Sequence, residues 1–107
     1  MIIGTTPTLT FSTNKKEEEI SEVYITIVQA GKGPTPIFIC EHGIDKCTFG
    51  NMTVSTKLEE SETAWIDPTQ GPIRMQVTII DNDGNIYKSE IVREEVIDSL
   101  REVEKWK

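Results

Sequence analysis

The stretch that decides the fold is residues 73–92, IRMQVTIIDNDGNIYKSEIV. Ile73, Met75, Val77 and Ile79 alternate with Arg74, Gln76 and Thr78. Successive strand side chains point to opposite faces, so a period of two describes a strand with one dry and one wet face. Asp83-Gly84 supplies residues that accept positive φ in a tight primed turn. Residues 86–91 then return as the second arm of a long hairpin.

Outward from this hairpin the pattern stays β-rich. Residues 22–29 are a second strong strand, with Val23, Ile25 and Ile27 on its core face and Tyr24 and Val28 on the other. Residues 7–12 are a short alternating strand, and Pro7 suits an edge where a missing N–H costs nothing. The charge run 13–19 reads as a solvated connection. Two glycines and two prolines make 30–36 a turn, and Gly31-Lys32-Gly33 lacks the rest of a phosphate-binding loop. Ile37-Phe38-Ile39-Cys40 is apolar on both faces, which predicts a central or covered strand. Glu41-His42-Gly43 is expected to turn.

Residues 44–49 and 52–58 form a hairpin around Gly50-Asn51, which sets Phe49 opposite Met52 and Cys47 opposite Val54. The alternation breaks at 59–65, a short helical turn with Leu58 and either Trp65 or Ile66 turned inward. Val92, Val96, Leu100 and Val103 then recur at spacings of four and three, a helical stripe. Glu94 and Glu95 near its start and Arg101, Lys105 and Lys107 near its end suit a helix macrodipole. A short C-terminal helix over 93–107 is therefore expected; continuation of the preceding strand through Val96 is its rival.

Composition bounds the class. The chain has 107 residues and is 36% hydrophobic, enough for one domain with one core. Its net charge of −7 and pI near 4.7 argue against nucleic acid, which needs a concentrated Lys/Arg surface. No apolar run approaches the roughly 20 residues that span a membrane. The first residues lack the basic and apolar regions of a signal peptide, and Ile2 in place of glycine excludes myristoylation. The expected location is the cytoplasm of the producing cell. Strands at short, regular spacing with Gly, Pro and Asn turns predict an immunoglobulin-like antiparallel β-sandwich of about seven strands, with a closed barrel as the alternative.

Reactive groups are few. Cys40, His42 and Cys47 are the soft-ligand cluster, but the cysteine spacing is wrong for structural zinc and no fourth ligand is evident beyond Asp45. They read as two small buried side chains and a turn histidine. Catalysis would have to use His42, without an orienting carboxylate or an oxyanion motif in view. The run Asp81-Asn82-Asp83-Gly84-Asn85 looks like a calcium loop, yet its glycine is fourth and Val92 stands where the closing acid belongs. It reads as a hairpin turn. Neither a cofactor nor a metal is expected.

The order of motifs resembles small proteins encoded in phages and prophages of Gram-positive bacteria. The resemblance is carried by the opening Gly4-Thr5-Thr6-Pro7-Thr8-Leu9-Thr10-Phe11 and by the strand from Val23 that ends in Gln29-Ala30-Gly31. It continues through the Gly50-Asn51 turn with its Thr/Val strand, the Leu58 to Thr63 segment, and Met75-Gln76-Val77 followed by Asp83-Gly84. It implies a virion-associated β-sandwich, at the tail or baseplate, made in the host cytoplasm, and offers no catalytic residues. The expected partners are other phage structural proteins or a second copy of the chain. Trp106, with the exposed sides of the first and last strands, is the expected contact surface. A carbohydrate- or ligand-binding sandwich using Trp65 and Tyr87 is the alternative, and a bacterial surface module is weakened by the missing export signal.

Overall fold

The computed structural model describes residues 1, 3–31, 33–67, 69–89 and 91–96. In chain order these form β1 Thr8–Ser12, β2 Ile20–Gln29, β3 Ile37–His42, β4 Cys47–Gly50, β5 Thr53–Lys57, α1 Glu60–Thr63, β6 Ile73–Asp81, β7 Ile86–Lys88 and β8 Val92–Glu94. One sheet has the order β1-β5-β4; the other has five strands in the order β3-β2-β6-β7, with β8 also paired to β6. All strand pairs are antiparallel. The two sheets pack as the expected sandwich, not a closed barrel, with eight strands among the described residues. In the immunoglobulin order the second strand lies with the first and fifth; here β2 lies between β3 and β6.

The dry seam follows the period of two. β2 contributes Val23, Ile25 and Ile27, and β6 contributes Ile73, Met75, Val77 and Ile79, all buried. The smaller sheet answers with two cross-strand rows, Leu9–Thr56–Cys47 and Phe11–Val54–Phe49. Leu58 and Ile66 close one end. Each of the fully buried aliphatic side chains contributes about 1.5–3 kcal/mol, so Val23, Ile25, Ile27, Val54, Leu58 and Ile73 dominate the fold's stability.

Three expectations are corrected by register. First, β3 is an edge strand rather than a central one. Ile27 pairs with Cys40 while Val28 pairs with Phe38, so Ile39 is an extra residue in β3. The extra Ile39 lets both Ile39 and Cys40 face the core, while Ile37 and Phe38 stay exposed. Second, Phe49 pairs with Val54, and Cys47 with Thr56. The turn uses Asn51-Met52, with Met52 at φ 58°, while Gly50 stays in β4, where a Cβ would lie 2.6 Å from Thr53 Oγ1. A shift of two residues keeps Cys47, Phe49 and Val54 on the core side and places Val54 between Phe11 and Phe49, but it moves Met52 from the expected core position into the exposed turn. Third, the residues ahead of Cys47 are a 3-10 turn, Ile44–Lys46, not part of a strand.

The deciding hairpin forms, with changes. Only Gly84 takes positive φ in its turn (85°), and the Gly84 N–H donates to the Asp81 carbonyl at 3.0 Å while Asp81 N–H donates to Asn85 O at 3.0 Å. This is a three-residue loop closed by a left-handed glycine. The return arm is split into β7 and β8. Thr78 pairs with Lys88 and Met75 with Val92, so the return arm holds one residue more than β6 across that interval. Ser89 marks the break: its N–H donates to Val77 O at 2.9 Å and its Oγ accepts from Val77 N at 3.0 Å.

The expected helix does not begin at 93, because Val92–Glu94 is a strand whose backbone pairs with the otherwise open start of β6. The buried Met1 holds this arm from the other side: its ammonium donates to Glu95 O and lies 3.8 Å from the Glu94 carboxylate. The remainder of the expected helix, with Leu100, Val103 and Trp106, lies outside the described residues.

Candidate functional site

The chemistry of this chain gathers at one end of the seam, where α1 crosses β3. Cys40 and His42 are two apart on β3 and face inward together. His42 is thus a strand residue, 2% exposed, and not the turn histidine expected. Its Nδ1 lies 2.6 Å from Thr56 Oγ1, and the Thr56 hydroxyl donates to Lys46 O at 3.0 Å. A hydroxyl has one proton to give, so Nδ1 carries its own and donates to Thr56. The ring's other nitrogen, Nε2, is 2.6 Å from Glu62 Oε2.

Glu62 is the orienting carboxylate that the sequence did not reveal. It is the third residue of α1's capping box: its Oε1 accepts the Glu59 N–H at 2.8 Å, which leaves Oε2 aimed at the ring. Burial works against its charge, but the Glu59 amide and the His42 ring outweigh that and hold the carboxyl below its usual range. Cys40 faces the same carboxylate, and burial together with the Glu62 charge pushes its thiol up to about 12. Cys47 stands apart on the other sheet, its thiol donating to Gly43 O at 3.3 Å and also raised, chiefly by burial. Both cysteines are free thiols.

Hydroxyl, imidazole and carboxylate in line suggest a nucleophilic triad, but the hydrogen bonds run the wrong way. Thr56 spends its proton on a carbonyl and is 3% exposed, so His42 cannot act as its base. Cys40 remains a thiol at neutral pH and is a poor nucleophile. The arrangement orients the His42 ring and the Glu62 carboxylate but does not activate Thr56 or Cys40. One signal was available: Cys40 and His42 share a parity, and Glu62 stands three residues after Glu59, the cap of α1. That α1 lies across β3 was not written in either segment.

The second feature is the outer face of the larger sheet. Tyr24, Thr26 and Val28 of β2 lie beside Thr78, Gln76 and Arg74 of β6. Pro36, Glu41, Lys88 and Ile91 complete a shallow groove of about 490 Å³. At one margin Phe38, 63% exposed, lies across from Val28; at the other, Ile86, 62% exposed, lies across from Ile80. The sequence does not show this groove, because the apolar run 37–40 predicts a covered Phe38.

Of the residues expected to make an interaction surface, Trp65 is 77% exposed on the turn after α1, and Ile66, not Trp65, is the residue turned inward. Tyr87 is on β7, under the Lys15 ammonium at 4.7 Å, with its hydroxyl donating to Asp81 Oδ2 at 3.3 Å. Neither lines the outer groove. Trp106 lies outside the described residues. The aspartate run is a turn: Asp81 Oδ1 accepts the Asp83 and Asn85 N–H groups, both at 2.9 Å. No helix among the described residues is long and apolar enough to cross a membrane. No family model, no curated protein and no solved structure matches this chain.

Proposed function

We propose that this chain is a non-enzymatic structural or accessory protein of a phage particle, acting through protein–protein contacts at the β3 margin of its larger sheet. The order of sequence motifs supports the phage setting. The observation that carries the contact mode is an edge strand that ends a five-stranded sheet with Ile37 and Phe38 exposed. An edge strand offers unpaired backbone donors and acceptors to another chain. Phe38 and Pro36, beside a groove floored by Tyr24 and Val28, give such a partner apolar anchors. An extended segment of a neighbouring particle protein, or the same strand of a second copy, would add to the sheet there.

The protein would be made in the host cytoplasm and then join the tail or baseplate. Light scattering on the purified chain, together with its detection in purified virions, tests the reading. Self-association or virion incorporation that is lost in Phe38→Lys, with the fold retained, is the expected result. A strictly monomeric protein absent from virions would overturn it.

A further inference from the structure

We infer that Cys40, His42 and Glu62 form a binding site for one transition-metal dication of the zinc type. Their ligand atoms all lie within 4.8 Å of one another. Sulfur, imidazole nitrogen and carboxylate oxygen are the donor set that zinc accepts, and three protein ligands leave a fourth position for water. This site is independent of the contact surface proposed above.

Geometry carries the inference. Because Nδ1 donates to Thr56, Nε2 is the ring nitrogen left to meet a cation, and it lies 2.6 Å from a Glu62 carboxylate oxygen. Two acceptors at that distance need a proton or a cation between them. A proton would satisfy that pair alone. A dication would also take Cys40, which the alternation along β3 turns inward with His42, and two anionic ligands would balance its charge. The outer support of a metal site is already built: Thr56 fixes the ring's tautomer and orientation, and the Glu59 amide fixes Glu62.

Room and access are present as well. Ligands about 2.0–2.1 Å from a tetrahedral ion sit roughly 3.3 Å apart, so the His42–Glu62 pair would open by less than about 1 Å. Glu62 lies on a one-turn helix with its side chain 17% exposed, where such a shift is small. Beside His42 a cavity of about 520 Å³, lined by Thr6, Thr48, Leu58 and Glu59 among others, leads to the surface.

The test is cobalt(II) titration of the chelator-treated full chain, followed by absorption spectroscopy and native mass spectrometry. One ion per chain with a sulfur-to-cobalt charge-transfer band, displaced by zinc, is expected. The band should vanish in Cys40→Ser and persist in Cys47→Ser, and Glu62→Gln should weaken binding at least tenfold. Absence of the band from the wild-type protein at excess cobalt overturns the inference without recourse to any variant. Binding that survives both Cys40→Ser and Glu62→Gln overturns it too, as adventitious surface binding.

Discussion

Thr56→Val tests the hydrogen-bond logic at the centre of the site. The substitution keeps the shape and suits a β-strand, so it changes little except the hydroxyl. That hydroxyl is the acceptor for the His42 Nδ1–H at 2.6 Å and the donor to Lys46 O at 3.0 Å. Lys46 is exposed, so water can replace the hydroxyl there. His42 is 2% exposed, so its N–H would be left without a partner. An orphaned buried donor costs about 1–3 kcal/mol, and the added methyl returns a little under about 1 kcal/mol. The net loss should be about 1.5 kcal/mol, or about 10 °C in melting temperature for a domain of this size. Urea unfolding followed by circular dichroism and tryptophan fluorescence would show a lower midpoint with an unchanged slope. Cobalt affinity should fall about 10–100-fold, although no ligand atom is touched. A variant as stable as the wild type, with cobalt binding intact, would refute the assignment of the Nδ1 proton and the ring orientation that rests on it.

Gln29→Leu should be more costly, because the fully buried amide donates to Asp67 O at 2.7 Å and Gly71 O at 3.0 Å and accepts from Asp67 N at 2.9 Å. At about 1 kcal/mol each, the loss in urea unfolding should approach about 3 kcal/mol, with faster amide exchange at Gly71. Asp81 predicts the acid limb of stability: the Asn85 and Asp83 amides hold its carboxyl below its ordinary value. A depressed folded pKa means stabilisation present above the unfolded value and lost as pH falls through the folded one, so Asp81→Asn should flatten the stability profile below about pH 4. Cys40 should resist iodoacetamide in the native protein at neutral pH and react on unfolding, since its thiol is pushed up to about 12. Rapid native alkylation of Cys40 would contradict the burial and carboxylate contact described above.

Much of the fold is legible residue by residue. The parity of Val23, Ile25, Ile27, Met75, Val77 and Ile79 states which face is dry, and all six side chains are buried there. The break in alternation after Leu58 marks α1, and Pro7 marks the start of an edge strand. Bulges were not legible. The extra residues at Ile39 and on the return arm between Lys88 and Val92 depend on which strand each segment meets, and no local pattern records that. The same gap hid the candidate site: reading His42 as a turn residue severed it from Cys40, and Glu62 looked like one acid among many.

The sequence by itself determined the strands, their inward and outward faces and the poverty of reactive groups, because a two-residue period and turn chemistry are local properties. Only the tertiary structure decided that β3 ends the larger sheet, that Val92–Glu94 is a strand paired with β6, and that Glu62 meets His42. Those contacts join segments twenty or so residues apart and more, and pairing at that range is set by how two sheets share one seam. The imidazole, thiol and carboxylate therefore converge through the crossing of α1 over β3, a geometry that neither segment carries alone.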